Sequence, residues 1–227
     1  MNNYVIAIDG PVASGKGTVA RMLSRKLGII CLDTGALYRG IAVYFIDNKI
    51  DETNVDARNK ALGEIQLDVK CVEGVTVVLL NGVDVNKRIR DNVVSVRVPQ
   101  IAKLPEVREK VRIIQQQIAG ATSLVCEGRD ITSVVFPYAR FKFYLTACAK
   151  MRAQRRFDEL TAKGEDVSLH ELEQQIRDRD HADMTRETSP LICVPDAIKI
   201  DATHITAYEV AKKMEQIITQ DLQKERK

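Results

Sequence analysis

Short apolar runs alternate along the chain with apolar residues at helical spacing. Residues 5–8 are apolar and lead into Asp9-Gly10-Pro11, which predicts a buried strand entering a glycine loop. A helical apolar face follows at Val19, Met22, Leu23 and Leu27. Gly28 ends this helix, and residues 29–32 form a second apolar run. Strand, helix and strand in this order predict a βαβ unit with a parallel sheet and a right-handed crossover.

Three further apolar runs predict the remaining strands of this sheet, at residues 124–126, 141–145 and 197–200. Helices fill the intervals between them. One begins at Pro105, with its apolar face at Val107, Val111, Ile114 and Ile118. Two more begin at capping boxes, which pair Ser168 with Glu171 and Thr206 with Glu209. Five strands separated by helices indicate a three-layer α/β fold.

Residues 64–98 differ from the rest of the chain because their apolar and polar residues alternate. A Glu-Gly pair at 73–74 and an Asn-Gly pair at 81–82 predict tight turns between short strands. We therefore expect a small antiparallel β insert on the α/β core. The tail at 223–227 is expected to be a frayed helix end.

Composition excludes several classes of protein. The 227 residues are 45% apolar and 29% charged, with a net charge of +3, which supports a real core and argues against a nucleic-acid-coating surface. No run is long enough to span a membrane, and the N-terminus lacks the pattern of a secretory signal. Five scattered cysteines and three histidines make a disulfide framework and structural zinc improbable. We expect a cytoplasmic protein.

The loop between the first strand and the first helix has the pattern of a phosphate-binding loop. Its glycines let backbone N–H groups converge on phosphate oxygens, and the helix N-terminus adds partial positive charge. The strict pattern has Ser or Thr directly after the lysine, whereas here a glycine intervenes, as in nucleoside monophosphate kinases. The predicted ATP-binding residues are Gly10, Pro11, Val12, Ala13, Ser14, Gly15, Lys16, Gly17 and Thr18.

A phosphate-binding loop by itself does not name the reaction. The chain has no guanine-reading Asn-Lys-x-Asp stretch, and it supplies arginines where predicted strands end, at 33–39 and 127–130. Two phosphates must be brought together against their repulsion, and arginine binds phosphate oxygens bidentately. These features favour a small-molecule kinase.

Five motifs in order resemble bacterial cytidylate kinases, and the resemblance spans about residues 5–202. The motifs are the phosphate loop, Asp-Thr-Gly-Ala-Leu-Tyr-Arg at 33–39, Pro-Glu-Val-Arg-Glu at 105–109, Glu-Gly-Arg-Asp at 127–130 and Arg-Asp-x-x-Asp-x-x-Arg at 179–186. The resemblance implies a P-loop kinase fold with a five-stranded parallel sheet, an acceptor-binding β insert and a helical lid. It implies transfer of the terminal phosphate of ATP to CMP or dCMP with Mg²⁺.

The resemblance also implies how the chain divides. The core would comprise 1–63, 99–147 and 189–227, the insert 64–98, and the lid 148–188. The residues expected to bind the acceptor base are Thr34, Arg108 and Asp130. Those expected to bind its phosphate are Arg39, Arg129 and Arg186. The sugar would be bound by Asp183, with Arg179 nearby. Lys16, Arg129 and Arg186 would stabilise the transferring phosphate, and Thr18 would bind Mg²⁺ directly or through water.

The carboxylate of Asp130 suits cytosine independently, because cytosine presents an N4 amino donor where uracil presents an oxygen. Two positions depart from the family pattern. Pro99 stands where the family usually has a serine, and Glu127 stands where it more often has aspartate. The serine contact is therefore lost or replaced, and the reach of the carboxylate toward Mg²⁺ is in question.

Three arginines, Arg152, Arg155 and Arg156, share one predicted amphipathic helix. They are either a solvated face or part of a lid that contributes a cation, for which we name Arg156. Asp180 is expected to pair with Arg177 or Arg179 along its helix.

Two other functions remain open at this stage. One is a P-loop kinase for UMP, AMP, shikimate or dephospho-coenzyme A, and the other is a non-catalytic nucleotide-binding module. Asp130 and Arg108 argue against acceptors without a base, and Lys16 with the acceptor arginines argues against a sensor. No sustained heptad is visible, so a monomer is expected.

Overall fold

A computed structural model describes residues 3–72 and 75–224. The predicted turn at 73–74 and the end of the tail at 225–227 lie outside the described residues. The strands are β1 (Val5–Asp9), β2 (Ile30–Asp33), β3 (Leu67–Val72), β4 (Val75–Leu80), β5 (Val83–Asp84), β6 (Leu124–Gly128), β7 (Phe141–Thr146) and β8 (Ile198–Asp201). The helices are α1 (Lys16–Leu27), α2 (Thr34–Asp47), α3 (Val55–Glu64), α4 (Asn92–Ile101), α5 (Pro105–Ala121), α6 (Ala149–Thr161), α7 (Leu169–Thr185) and α8 (Ala207–Lys224).

The predicted α/β fold with a five-stranded parallel sheet is confirmed. The strand order is β2-β6-β1-β7-β8, and β1 and β8 each pair with β7 in parallel. Ile6, Ala7 and Ile8 in β1 are fully buried, as are Phe143 and Leu145 in β7. Continuous apolar burial of this kind is expected of strands covered by helices on both faces.

The described residues divide into two compact units. One contains the described residues of Met1–Tyr4 and Gly28–Leu124, and the other contains those of Val5–Leu27 and Val125–Lys227. We call them the first unit and the second unit.

In the first unit, β3, β4 and β5 form an antiparallel sheet. The predicted turn at Asn81-Gly82 joins β4 to β5, and both residues have positive φ, at 49° and 83°. This is the conformation of a two-residue hairpin turn.

The antiparallel sheet ends earlier than the alternation predicted. From Asn92 the chain is helical, and α4 has Val94 and Ile101 fully buried. Valine-rich sequence favours strands, but these two side chains lie seven residues apart, on one face of a helix. Packing of that face therefore overrides the local preference for strand in this part of the insert.

In the second unit, both predicted capping boxes are present. The Oγ of Ser168 accepts a hydrogen bond from the N–H of Glu171 at the start of α7. At α8, the side chains of Thr206 and Glu209 accept hydrogen bonds from each other's N–H groups at 3.2 and 2.7 Å. In the described residues, no helix combines the length and the apolar character that crossing a bilayer requires.

Candidate active site

The predicted phosphate loop lies between β1 and α1, in the structural context that its sequence requires. Gly10 has φ of 152°, and a Cβ at this position would lie 1.9 Å from the carbonyl oxygen of Leu145. Only glycine fits there. Gly15 and Ala13 also have positive φ, at 92° and 57°. Such turns aim successive N–H groups into one concavity, which is how phosphate oxygens are bound.

Lys16 is the first residue of α1, and its side chain is buried inside the loop that it follows. Its Nζ donates to the carbonyl oxygen of Pro11 at 2.8 Å and to the Oγ of Ser14 at 3.3 Å. Burial lowers the pKa of Lys16 to about 7, and the positive charge of Arg129 acts in the same direction. Carboxylates oppose this shift: those of Glu127, Asp9 and Asp183. The pKa of Lys16 is therefore set by its burial and by the charged groups around the loop.

A cavity of about 860 Å³ opens over this loop in the second unit, large enough for a nucleotide. Its lining includes residues 13–19, Glu127 and Arg129. The lining also includes 202–207, which follow the carboxyl end of β8. Sequence reasoning missed this segment, although its position after a parallel strand could have indicated it.

The three arginines of α6 have three different environments. Arg156 is exposed, lines the cavity and pairs with Glu159 at 2.8 Å. Arg155 also lines the cavity, and it donates to the carbonyl oxygens of Ala202 and Ile205. It therefore fastens the segment after β8 to α6.

Arg152 departs from both of its predicted roles. It is buried and donates to the carbonyl oxygens of Ala147 and Val12 at 2.8 and 2.9 Å. Its third bond, 2.5 Å long, goes to the carboxylate of Asp180 on α7. The prediction that Asp180 pairs with Arg177 or Arg179 is therefore wrong, because α6 packs against α7 and supplies a closer, buried partner.

A second cluster of charges lies after β6 and at the end of α7. The Nε of Arg129 donates to Asp183 at 2.7 Å. Arg186 lies 3.8 Å from Asp183 and 3.9 Å from the buried carboxylate of Asp130. The Nε of Arg186 also donates to the carbonyl oxygen of Ser189 at 2.6 Å. Four residues predicted to bind the acceptor thus lie together here: Arg129, Asp130, Asp183 and Arg186.

Arg179, also predicted to bind the acceptor, is exposed on α7. His181 is exposed on the same helix.

Asp9, at the end of β1, was missed by sequence reasoning. Its fully buried carboxylate accepts hydrogen bonds from the N–H groups of Ile131 and Thr132 at 2.9 and 2.7 Å, and from the hydroxyl of Thr132 at 2.6 Å. Burial raises the pKa of Asp9, and the bonds from Thr132 and Ile131 counteract that rise. Asp9 fixes the turn that follows Asp130. The sequence does contain an indication of this role, because Asp9 is a carboxylate at the end of an apolar strand.

The remaining predicted acceptor residues belong to the first unit. Thr34 is buried, and its Oγ1 accepts a hydrogen bond from Gln115 at 3.0 Å. Gln115 was also missed, although it is a polar residue on the otherwise apolar face of α5. Arg108 donates to the carbonyl oxygen of Ala102 at 3.1 Å, and its guanidinium lies 6.0 Å from the ring centre of Tyr38.

Arg39 is half-buried on α2, one turn after Gly35. A Cβ at Gly35 would lie 3.2 Å from a guanidinium nitrogen of Arg39. The arginine therefore folds back over the start of the helix, where the backbone N–H groups also favour an anion.

Pro99 and Glu127 are the two residues that depart from the family pattern. Pro99 is exposed in α4 and offers neither a hydroxyl nor an N–H. Glu127 lines the cavity, and one of its oxygens lies 3.5 Å from where a Cβ of Gly17 would be. The hydroxyl of Thr18 lines the same cavity and accepts a hydrogen bond from Arg21 at 3.3 Å. Hydroxyl and carboxylate oxygens are the donors that a hard cation such as Mg²⁺ prefers.

The chain is similar along most of its length to proteins named cytidylate kinases. The family model described as cytidylate kinase matches residues 6–220. A cytidylate kinase from Caldicellulosiruptor saccharolyticus is 42% identical over 214 residues, covering 94% of this chain and 95% of that protein. One from Bacteroides fragilis is 40% identical over 214 residues, covering 92% and 93%.

A crystal structure of a Thermus thermophilus protein shares the fold, with a TM-score of 0.53 and 19% identity over 98% of this chain and 99% of that one. The family match extends from β1 to α8 and so includes the phosphate loop, the cluster around Arg129 and the segment after β8. The chain belongs to the cytidylate kinase family.

Proposed function

We propose that the protein transfers the terminal phosphate of ATP to CMP, and also to dCMP, forming CDP or dCDP and ADP. The observation that carries this proposal is the position of Arg129. It lines the cavity over the phosphate loop and is bonded to Asp183 in the neighbouring charged cluster. One guanidinium therefore connects a donor site with a second anion site, as a phosphate acceptor requires.

The chemistry needs no general base. The acceptor is a phosphate monoester, whose second pKa is about 6, so its oxygen is largely ionised at neutral pH. Catalysis then depends on aligning the two phosphates and neutralising the charge of the transition state. Lys16, Arg129 and Arg186 are the proposed cations, and Arg156, which lines the same cavity as Lys16 and Arg129, is the proposed lid cation.

The remaining acceptor roles follow the resemblance and the chemistry of each group. Asp130 is proposed to accept from the cytosine N4 amino group, with Thr34 and Arg108 also binding the base. Arg39 is proposed to join Arg129 and Arg186 on the phosphate. Asp183 would accept from a sugar hydroxyl, with Arg179 nearby.

Mg²⁺ is the proposed cofactor. The Thr18 hydroxyl would hold it, directly or through water, with the Glu127 carboxylate on the same cavity wall. When bound, the ion neutralises phosphate charge during transfer. Glu127 is one methylene longer than the aspartate usual in the family, so its carboxylate reaches the ion from a different position.

Residues 64–98 are proposed as the acceptor-binding insert and 148–188 as a lid that excludes water from the phosphates. A cytoplasmic location and a monomeric state stay predictions.

A coupled assay of ADP formation over a panel of acceptors tests the proposal: CMP, dCMP, UMP, AMP, shikimate and dephospho-coenzyme A. We expect CMP and dCMP to have the highest kcat/KM. Preference for any other acceptor would select one of the alternative kinases, and ATP binding without turnover of any acceptor would favour a nucleotide-binding module.

A further inference from the structure

The phosphate loop is held from outside by two charged side chains of the α6–α7 pair. The carbonyl oxygen of Val12 accepts a hydrogen bond from Arg152 at 2.9 Å, and the N–H of Val12 donates to Asp180 at 3.3 Å. Both backbone polar groups of Val12 are therefore hydrogen-bonded to these two side chains. The two side chains also bond each other, at 2.5 Å. We call Arg152 and Asp180 the clamp pair.

The clamp pair is largely shielded from solvent. Its side chains are 6% and 13% exposed. The Nε of Arg152 is also bonded, to the carbonyl oxygen of Ala147. Buried ion pairs gain strength only when their remaining donors and acceptors are satisfied, and here the satisfied groups include the loop backbone. The geometry of the pair therefore depends on the geometry of the loop, and the loop depends on the pair.

Apolar packing reinforces this attachment. A cluster between α6 and α7 contains the buried side chains of Ala153, Leu160, Leu172 and Ile176. Val12 and Ala13 of the loop pack against the same cluster. Ala13 has φ of 57°, a left-handed conformation that is strained for a residue with a side chain. Such a conformation persists only where its surroundings impose it.

We propose that Arg152 and Asp180 are positioning residues that hold the loop in its phosphate-binding conformation. Neither residue lines the cavity over the loop, and both bond the peptide groups of Val12. The inference deepens the proposed kinase function, since the loop is its donor site. It also assigns Asp180 a role separate from that of Asp183, which lies three residues later on α7 and bonds Arg129.

The test is binding of ATP and of inorganic tripolyphosphate, measured by calorimetry on the full chain. Asp180→Asn keeps an acceptor for the N–H of Val12 but removes the charge that pairs with Arg152. We expect both ligands to bind about tenfold more weakly or worse, because small displacements of a preorganised site have large effects. Equal losses for both ligands would locate the effect at the phosphates rather than at the base.

A second variant separates positioning from stability. Asp180→Asn leaves Arg152 buried without its charge partner, which destabilises the fold. The double variant Arg152→Met with Asp180→Asn removes that charge and keeps the apolar volume. We expect its melting temperature to recover toward that of the parent while tripolyphosphate binding stays weak. Where the single variant does not fold, the double variant decides.

Arg177→Gln is the matched control, because Arg177 forms an exposed pair with Glu173 on the same helix. Its tripolyphosphate affinity is expected to equal that of the parent. Parent-like tripolyphosphate binding by the double variant would overturn the proposal, whatever its melting temperature. Phosphate binding is measured without an acceptor, so a failure of the CMP assay would not affect this result.

Discussion

The Nζ of Lys16 donates a hydrogen bond to the carbonyl oxygen of Pro11 at 2.8 Å, across the mouth of the loop that joins β1 to α1. A buried ammonium group bonded to a carbonyl is only partly compensated for the loss of water. A phosphate oxygen carries a full charge and is a stronger acceptor than a carbonyl. Replacing the carbonyl oxygen of Pro11 by a phosphate oxygen as the acceptor for Lys16 is therefore favourable when a phosphate enters.

Lys16→Ala is expected to lower kcat by about a hundredfold or more, since one transition-state contact of this kind contributes roughly 3 kcal/mol. CMP affinity is expected to change little. Lys26→Ala on the same helix is the control, because Lys26 pairs with Glu215 near the far end of α1. Turnover by Lys16→Ala close to that of the parent would contradict the assignment of the loop.

The pKa of Lys16 predicts proton uptake when ATP binds. With a pKa of about 7, Lys16 is mostly neutral at pH 8, whereas an unburied lysine is charged there. Adjacent phosphates favour the charged form and raise this pKa, so binding at pH 8 should take up most of a proton. ATP affinity should accordingly fall as pH rises above 7.

Calorimetry of ATP binding at pH 8 in Tris and in HEPES measures this uptake, because the two buffers differ in ionisation enthalpy. CMP binding is the control, since its phosphate is already ionised at this pH. Equal ATP enthalpies in the two buffers would mean that Lys16 does not change protonation.

Linkage also predicts the stability of the free protein. A lysine whose pKa is lowered in the folded state binds fewer protons there than in the unfolded chain. Between pH 7 and the ordinary lysine pKa of 10.5, Lys16 should therefore make unfolding less favourable as pH rises. Comparison of Lys16→Met with the parent in denaturant titrations across this range isolates the contribution, and a difference that is independent of pH would contradict it.

Asp130→Asn is expected to lower the ratio of kcat/KM for CMP over UMP by about tenfold or more, mainly by weakening CMP. The buried carboxylate of Asp130 lies 3.9 Å from Arg186 and offers only acceptors, which suits the cytosine amino group and not the uracil oxygen. An amide can donate as well, so the discrimination should shrink. Asp178→Asn, on exposed α7 surface, is the control. If the CMP to UMP ratio of Asp130→Asn equals that of the parent, Asp130 does not recognise the base.

Lid closure should be confined to the distal part of the α6–α7 pair. Gly164, between the two helices, has φ of 80° and nothing within 4 Å of where a Cβ would be. The first turn of α6, in contrast, is fixed because Arg152 bonds the carbonyl oxygen of Val12. Hydrogen exchange at 161–168 is therefore expected to slow when an ATP analogue and CMP bind together, and the first turn of α6 should already be protected. Unchanged exchange at 161–168 with both ligands saturating would argue against a lid.

Local residue types were enough to predict the features that depend on short stretches of backbone. Three such features are present as predicted. They are the glycine loop that begins at Gly10, the capping boxes at Ser168 and Thr206, and the turn at Asn81-Gly82. Each follows from hydrogen bonds or torsion angles within a few residues, so local residue types suffice. The five apolar runs likewise predicted the parallel sheet, because full burial leaves a direct trace in composition.

Local residue types could not predict which side chains meet across the fold. Arg152 reaches Asp180 across 28 residues, Arg129 reaches Asp183 across 54, and Gln115 reaches Thr34 across 81. The helical state of α4 was decided in the same way, by burial of Val94 and Ile101. Such contacts depend on how whole elements pack, and a charged residue has several partners of suitable type along its own helix. The lowered pKa of Lys16 could not be predicted from local sequence either, because it results mainly from burial, which is a property of the assembled fold.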